Sequence, residues 1–233
     1  MLVGQRHHFI NGQWVAARDD RTFSTFNPST GEVLAELARG DSSDVDVAVS
    51  AAQDAFSGWQ FADGITLARL LADIARQIQQ EAEKLAYLES LDTGKPLSQS
   101  RQDVQLASRY FEFYSGVADK IGGETIPVPG DFLDYTLREP LGVCGVIIPW
   151  NYPLQVSARG IAAPLAAGNT VVLKPAEEAS LTALELARIT HQVGVPAGVV
   201  NVITGFGEET GAPLAAHPRI NHLTFTGSLE VGQ

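Results

Sequence analysis

The sequence has a single cysteine, Cys144, among its 233 residues. One thiol excludes an internal disulfide framework and a metal site built from several cysteines, and it is typical of a reducing compartment. Long hydrophobic runs are also missing, because no stretch of about 18 apolar residues occurs. The opening segment, MLVGQRHHFI, lacks the apolar core of a secretory signal. We therefore expect a cytoplasmic protein with no segment that enters a membrane.

Positive charge is scarce as well. The 16 lysines and arginines are outnumbered by 27 aspartates and glutamates, which gives a formal net charge of −11. A nucleic-acid or anionic-membrane partner requires a basic face, so neither partner is predicted. Hydrophobic residues make up 45% of the chain and charged residues 18%, so the chain can bury a sizeable core and gives no compositional case for disorder.

Residues 1–120 predict strands and helices that pack on the rest of the chain. The Asn-Gly pair in HFINGQWV (8–15) suits a two-residue primed turn, so this segment predicts a hairpin, with GEVLAELA from Gly31 as a partner strand. Cap residues at Asp41-Ser42 precede a first helix. Apolar spacing predicts a longer helix over about Ile65–Leu91 and a third over about Ser98–Lys120.

Residues 121–142 are punctuated by glycine and proline. Pro127 and Pro129 exclude the two extended runs of this segment from the centre of a sheet. The segment therefore predicts a β-hairpin that stands off the main body.

Residues 143–233 alternate regularly between short apolar strands and helices. The strands are VCGVII, TVVLK, VVNVI and HLTFT, and Ser228 opens a last helix. Short, nearly continuous apolar strands that alternate with helices are typical of a parallel sheet covered on both faces. We therefore predict an α/β fold with a doubly wound, Rossmann-like parallel sheet.

The carboxyl ends of parallel strands are where such sheets bind ligands. Four strand ends fall on one edge: Pro149-Trp150-Asn151, Lys174-Pro175-Ala176-Glu177, Gly205-Phe206-Gly207 and Thr226-Gly227-Ser228. Glycines permit close backbone approach, and the helix start at Ser228 favours a phosphate. Lys174 and Glu177 have the donor and acceptor chemistry to bracket a ribose. No G-x-G-x-x-G fingerprint follows the first strand of this unit.

Simpler interpretations remain open for single residues. Taken alone, Asn151 is more often a loop residue, Lys174 a solvated charge, and Gly205 and Gly207 turn glycines. Other titratable residues are expected to be structural: Cys144 a buried core thiol, Glu178 a helix-start acid, His7 and His8 surface residues, and Asp54, Glu89 and Asp92 solvated acids.

Four ordered motifs carry a resemblance to a known family. They are PWNYPL, LAAGNTVVLKPAEEA, VPAGVVNVITGFGEETG and FTGSLEVG. In this order and spacing they resemble the non-phosphorylating NAD(P)-dependent aldehyde dehydrogenases, and the match covers essentially the whole chain. The resemblance implies oxidation of an aldehyde to a carboxylic acid, with hydride transfer to NAD(P) through a cysteine adduct.

The resemblance also implies residue roles. Asn151 matches the amide that stabilises the oxyanion, and Trp150 and Pro149 match the nicotinamide end of the cleft. Lys174 and Glu177 match the contacts to the adenosine ribose. The full set of implied cofactor-binding residues is Ile147, Pro149, Trp150, Lys174, Glu177, Gly207, Gly211, Phe225, Thr226, Gly227 and Ser228.

Cofactor and assembly follow from the same resemblance. An acidic residue at Glu177 repels a 2′-phosphate, so NAD is favoured over NADP. The hairpin at Gly122–Leu141 resembles the family's oligomerisation arm, which implies a homodimer or homotetramer. This sequence departs from the family pattern at Gly160, where many members carry lysine, and at Ala163-Pro164-Leu165, where many members read Pro-Ala-Leu.

The main departure from the family pattern concerns the catalytic nucleophile and the general base. In the family, the catalytic cysteine and glutamate follow the FTGS motif at positions beyond Gln233. We therefore expect this polypeptide alone to lack dehydrogenase activity, and no metal is implied. Two alternatives stay open, a non-catalytic dinucleotide-binding or assembly fragment and a phosphate-ligand enzyme of another doubly wound family.

Overall fold

A computed structural model describes residues 5–233. Met1–Gly4, part of the opening segment in which no secretory signal is expected, lie outside the described residues. The strands are β1 (Gln5–Arg6), β2 (His8–Ile10), β3 (Gln13–Val15), β4 (Thr22–Phe26), β5 (Val33–Ala38), β6 (Thr125–Ile126), β7 (Asp134–Tyr135), β8 (Val143–Ile147), β9 (Thr170–Lys174), β10 (Val200–Val202) and β11 (His222–Phe225). The α-helices are α1 (Ser42–Trp59), α2 (Gly64–Gln80), α3 (Ala82–Thr93), α4 (Leu97–Ser115), α5 (Pro153–Ala166), α6 (Leu181–Gln192), α7 (Ala212–Ala215) and α8 (Leu229–Gly232).

The main sheet has the strand order β11-β8-β9-β10-β2-β3. The four strands from β8 to β11 are parallel, and the β2–β3 hairpin adds antiparallel strands at one edge. Every residue of β9 and β10 is buried, which is why these strands read as continuous apolar runs. Helix α1 packs on one face, and α5 and α6 pack on the other. The predicted doubly wound α/β fold is confirmed.

Turn and cap chemistry explains several boundaries. Asn11 and Gly12 have φ of 53° and 73°, the left-handed pair that a primed hairpin turn requires. The Asp41 carboxylate caps α1 by accepting from the backbone N–H groups of Ser43 and Asp44. Gly94 ends α3 with φ of 75°, as predicted from its place before Pro96.

Three predicted elements of the amino-terminal part differ from the structure. Strand β5 does not join the hairpin but pairs with β4 and β1 in a separate sheet. The long helix predicted over Ile65–Leu91 is two helices, because the backbone of Glu81 leaves the helical region (φ −99°, ψ 16°) while its carboxylate binds Arg188 of α6 at 2.5 Å. The third helix ends at Ser115, and a short 3₁₀ turn covers Ala118–Lys120.

The hairpin of residues 121–142 is confirmed as an exposed element. Strands β6 and β7 pair with each other over two residues each and with no other strand among residues 5–233. Three apolar side chains of the hairpin are highly exposed, Phe132 at 81%, Leu133 at 77% and Leu137 at 70%. An apolar surface of this kind is typical of an interaction site.

Several expected surface residues are in fact buried. His8 is fully buried, and burial lowers its pKa to about 4. Glu89 and Asp92 are buried as well, and burial raises the pKa of both carboxyl groups. The expectation that these residues are solvated was wrong, because partners from distant segments cover them. Cys144 is a core residue as predicted, and burial raises the pKa of its thiol to about 11.

Candidate functional site

The strand register brings the predicted site residues to one edge of the sheet. Ile147, the last residue of β8, pairs with Lys174 at the end of β9 on one side and with Phe225 at the end of β11 on the other. Thr226 extends this row, since its N–H donates to the Ile147 carbonyl at 3.0 Å. Three residues that are far apart in sequence therefore stand side by side at the carboxyl ends of their strands.

A cleft of about 950 Å³ opens over this edge. Eleven of the twelve residues predicted from the sequence line it: Ile147, Pro149, Trp150, Asn151, Lys174, Glu177, Gly207, Phe225, Thr226, Gly227 and Ser228. The twelfth, Gly211, is buried behind the wall, where a Cβ atom would lie 3.9 Å from both the Ile147 Cδ1 and the Lys174 Cδ atoms. The structure thus places Gly211 against two residues of the cleft but not on its surface.

Lys174 and Glu177 form an ion pair in the cleft. The Lys174 Nζ atom lies 2.9 Å from the Glu177 Oε2 atom, and the two side chains are 3% and 31% exposed. A buried ammonium group is stable only when it is paired, and this one has a single carboxylate partner among the described residues. An ammonium group has three donors, so two remain available for ligand hydroxyl groups.

The glycines leave space beside this pair. No heavy atom lies within 4 Å of the position that a Cβ atom of Gly207 would occupy, so the backbone borders open volume. Gly205 has φ of 149°, and a Cβ atom there would overlap Thr210 and the backbone of Gly40. At Gly227 a Cβ atom would lie 2.5 Å from the ring of Phe225. At Gly207 and Gly227 the chain therefore places backbone, with no side chain, next to the cleft.

One expected helix-start residue differs from the structure. Ser228 caps α8 as predicted, because its Oγ atom accepts from the Val231 N–H at 3.3 Å. Glu178 is not a helix-start acid: α6 begins at Leu181, and Glu178 lies in the preceding turn, on the cleft wall. Ser180 forms no side-chain cap, and its hydroxyl instead donates to the Ala176 carbonyl.

The loop between β8 and α5 carries Asn151. Pro153 is the first residue of α5, and the Ile148 N–H donates to the Lys174 carbonyl at 3.1 Å, so both ends of the loop are fixed. The Asn151 side chain is exposed on the cleft wall, and its amide forms no hydrogen bond with any residue of the described range 5–233. Its two N–H donors are therefore available to a ligand.

One helical face of the cleft was not predicted from the sequence. Gln99, Gln102, Asp103 and Leu106 of α4 also line the cleft. They stand at positions i, i+3, i+4 and i+7, the spacing of one helix face. Three polar residues at that spacing in the middle of a packed helix are the signal that was available in the sequence.

Residues 5–233 contain no group of three or more histidine, cysteine or acidic residues placed to hold a metal ion. No helix in this range is long and apolar enough to cross a membrane.

Fold and cleft together define an α/β protein with a Rossmann-like ligand site. The chain matches the aldehyde dehydrogenase family over residues 14–233. It is 54% identical over 225 residues to hydroxyisobutyraldehyde dehydrogenase of Mycolicibacterium austroafricanum, which covers 97% of this chain and 45% of that protein. It is 48% identical to the mitochondrial aldehyde dehydrogenase of Equus caballus, over 96% of this chain and 46% of that protein. This chain belongs to the aldehyde dehydrogenase family.

Solved structures agree with this assignment. A putative aldehyde dehydrogenase from Burkholderia cenocepacia superimposes with a TM-score of 0.96 at 46% identity, over 97% of this chain and 48% of that one. PnpE, solved in complex with nicotinamide adenine dinucleotide, superimposes with a TM-score of 0.96 at 40% identity, over 98% and 47%. The chain spans about half the length of the relatives that it matches.

Proposed function

We propose that this chain is the cofactor-binding part of an NAD-dependent aldehyde dehydrogenase and that it contributes one oxyanion donor to the reaction. The observation that carries the proposal is the convergence of eleven of the twelve predicted residues on one cleft at the carboxyl edge of the sheet. Membership in the family supports the reaction class. The aldehyde itself is not specified by the residues that line the cleft.

The residues of the cleft fit the groups of NAD. The Lys174 ammonium and the Glu177 carboxylate have the donor and acceptor character that ribose hydroxyl groups need. The open space at Gly207 and the backbone at Gly227 and Ser228 suit a nucleotide that lies close to the main chain. The negative charge of Glu177 disfavours the 2′-phosphate of NADP. NAD, when bound, supplies the acceptor for the hydride of the aldehyde.

Asn151 supplies electrostatic stabilisation in this proposal. Attack on an aldehyde carbonyl places negative charge on its oxygen, and a fixed N–H donor stabilises that charge more strongly in a site with little water. The short loop between Ile148 and Pro153 fixes the backbone of Asn151 before substrate arrives, which limits the reorganisation that is needed. The side chain acts by donation alone and neither accepts nor transfers a proton.

Cys144 does not provide the nucleophile. It lies inside β8, it is 2% exposed, and burial raises the pKa of its thiol to about 11, so the thiolate is scarce at neutral pH. It is also the only thiol in the 233 residues. We therefore propose that these 233 residues bind cofactor but need a thiolate from another segment for turnover.

The corresponding experiment compares two proteins in an assay for NADH formation with a panel of aldehydes. The 233-residue chain is expected to form no NADH. A chimera that joins this chain to the second half of the Mycolicibacterium relative restores a nucleophile and is expected to form NADH. Turnover by the 233-residue chain alone, or inactivity of a folded chimera that binds NAD, would contradict the proposal.

We further propose that the hairpin of residues 121–142 mediates assembly into a homodimer or homotetramer. Its exposed Phe132, Leu133 and Leu137 support this role, because such side chains are stabilised when a second subunit covers them. A monomeric chimera in analytical ultracentrifugation at micromolar concentration would be evidence against it. A cytoplasmic location stays a prediction from cysteine content, and the horse relative carries the word mitochondrial in its name.

A further inference from the structure

A buried charged cluster lies directly beneath the loop that carries Asn151. It consists of Glu89 and Lys95, at the end of α3 and just after it, and Asp103 of α4. The Lys95 Nζ atom donates to the Asp103 Oδ2 atom at 2.6 Å and to the Glu89 Oε1 atom at 3.3 Å. The three side chains are only 9%, 0% and 4% exposed for Lys95, Glu89 and Asp103.

This cluster contacts the loop at two points. The Lys95 ammonium lies 4.4 Å from the centre of the Tyr152 ring, a cation–π geometry. The Glu89 Oε2 atom accepts from the Leu154 N–H at 3.4 Å and from the Thr182 hydroxyl at 2.6 Å. Tyr152 follows Asn151 directly, and Leu154 lies three residues after it, so both contacts fall within one helical turn of the amide.

A second contact holds the same ring. Gln99 of α4 donates to the Tyr152 hydroxyl at 3.1 Å. Lys95 therefore contacts the face of the ring, and Gln99 contacts its hydroxyl group. Because these two residues come from the segment after α3 and from α4, the loop is positioned by residues outside the parallel sheet.

Stability alone does not explain a buried cluster of three charged groups. Burying three charged groups costs free energy of desolvation, and apolar residues of similar volume often make the fold equally stable or more stable. Burial also raises the pKa of Glu89, because the buried site disfavours the charged form of its carboxyl group. We propose that Lys95 is a positioning residue, which acts through Tyr152 and Glu89 to fix the loop 149–153 and hence the direction of the Asn151 amide. This inference rests on the proposed function only in assigning a purpose to that amide.

The test uses the 233-residue chain labelled with 5-fluorotryptophan and observed by ¹⁹F NMR without NAD. The chain has three tryptophans, Trp14, Trp59 and Trp150, and Trp150→Phe identifies the resonance of the loop. Lys95→Met keeps the volume of the side chain and removes its charge. It is expected to shift or broaden the Trp150 resonance by more than its line width, while the Trp59 resonance of the core stays in place.

Lys84→Met is the matched control, because Lys84 bridges Glu81 and Glu185 between helices, away from the loop. It is expected to leave the Trp150 resonance unchanged. Lys95→Arg restores a cation near Tyr152 and is expected to return the resonance toward its original position. A purely structural role for Lys95 predicts neither the selective shift nor this rescue.

If Lys95→Met does not fold, the double variant Lys95→Met with Asp103→Asn neutralises the closer of the two carboxylates that lose their partner and keeps the test informative. An unchanged Trp150 resonance in either folded variant would overturn the inference. Since the spectra are recorded without NAD, this result is independent of whether the chain binds cofactor. A shift confined to Trp150 would support the inference even if NAD binding were not observed.

Discussion

Replacing Asn151 with alanine in the chimera is expected to lower kcat by about 10²–10³-fold, the usual effect of losing one oxyanion donor. The reason is that the Asn151 amide stands free on the cleft wall, with no hydrogen bond to another described residue, and so contributes mainly when charge develops on the substrate. Steady-state NADH formation measures kcat. The Kd for NAD is expected to stay within about twofold, because the proposed ribose contacts come from Lys174 at the end of β9 and Glu177 in the turn that follows it.

Asn151→Asp separates lost hydrogen bonding from lost volume. Aspartate has almost the same shape but offers no N–H donor when ionised, and its charge opposes the oxyanion. Its kcat is expected to be at least as low as that of Asn151→Ala. A kcat within tenfold of the parent for both variants would show that Asn151 is not an oxyanion donor.

A second large effect concerns the dependence of stability on pH at Asp92. Burial raises the pKa of this carboxyl group to about 7, against 3.8 for an ordinary aspartate, although the Leu181 N–H and the Thr25 hydroxyl donate to it. Between pH 4 and pH 7 the folded chain therefore holds one proton at Asp92 that the unfolded chain has lost. Stability falls as pH rises through this window, by about 1.4 kcal/mol per unit and about 4 kcal/mol in all.

Asp92→Asn removes this titration. The free energy of unfolding of the parent chain, minus that of Asp92→Asn, is expected to fall by about 4 kcal/mol from pH 4 to pH 7. Urea titrations at several pH values measure this difference, and the subtraction cancels the opposite contribution of His8. Asp54→Asn, at an exposed site, is the control for the change of aspartate to asparagine. A difference for Asp92→Asn that does not vary with pH would contradict a raised pKa of this buried carboxyl group.

The carboxyl-edge site could be predicted from the sequence because its determinants are local. Strands such as TVVLK are mostly apolar, and each is followed within two residues by a proline or a glycine. Parallel pairing then places the ends of successive strands on one edge, so the row of Ile147, Lys174 and Phe225 follows from strand order and register. The residues that line the cleft are those that follow these strands directly.

The buried charges could not be predicted in the same way. Glu89 and Asp92 lie on a helix whose local pattern looks amphipathic and solvated, and the groups that bury them, Thr182 and Leu181, lie about 90 residues further along. His8 is similar, because its partner Thr204 is 196 residues away. Burial of a polar side chain by distant segments leaves no periodic signal in its own neighbourhood. The break at Glu81 is similar, because the residue that its carboxylate binds, Arg188, lies 107 residues further along.

Calorimetric titration of the 233-residue chain with NAD and with NADP shows whether the cleft binds NAD. We expect one NAD bound per chain and an affinity for NADP at least about tenfold weaker, equivalent to about 1.4 kcal/mol of repulsion. Glu177→Gln is expected to reduce the difference between the affinities for NAD and NADP, because it removes the negative charge that repels the 2′-phosphate. Absence of NAD binding at millimolar concentration, or a parent chain that binds NADP as tightly as NAD, would contradict the account.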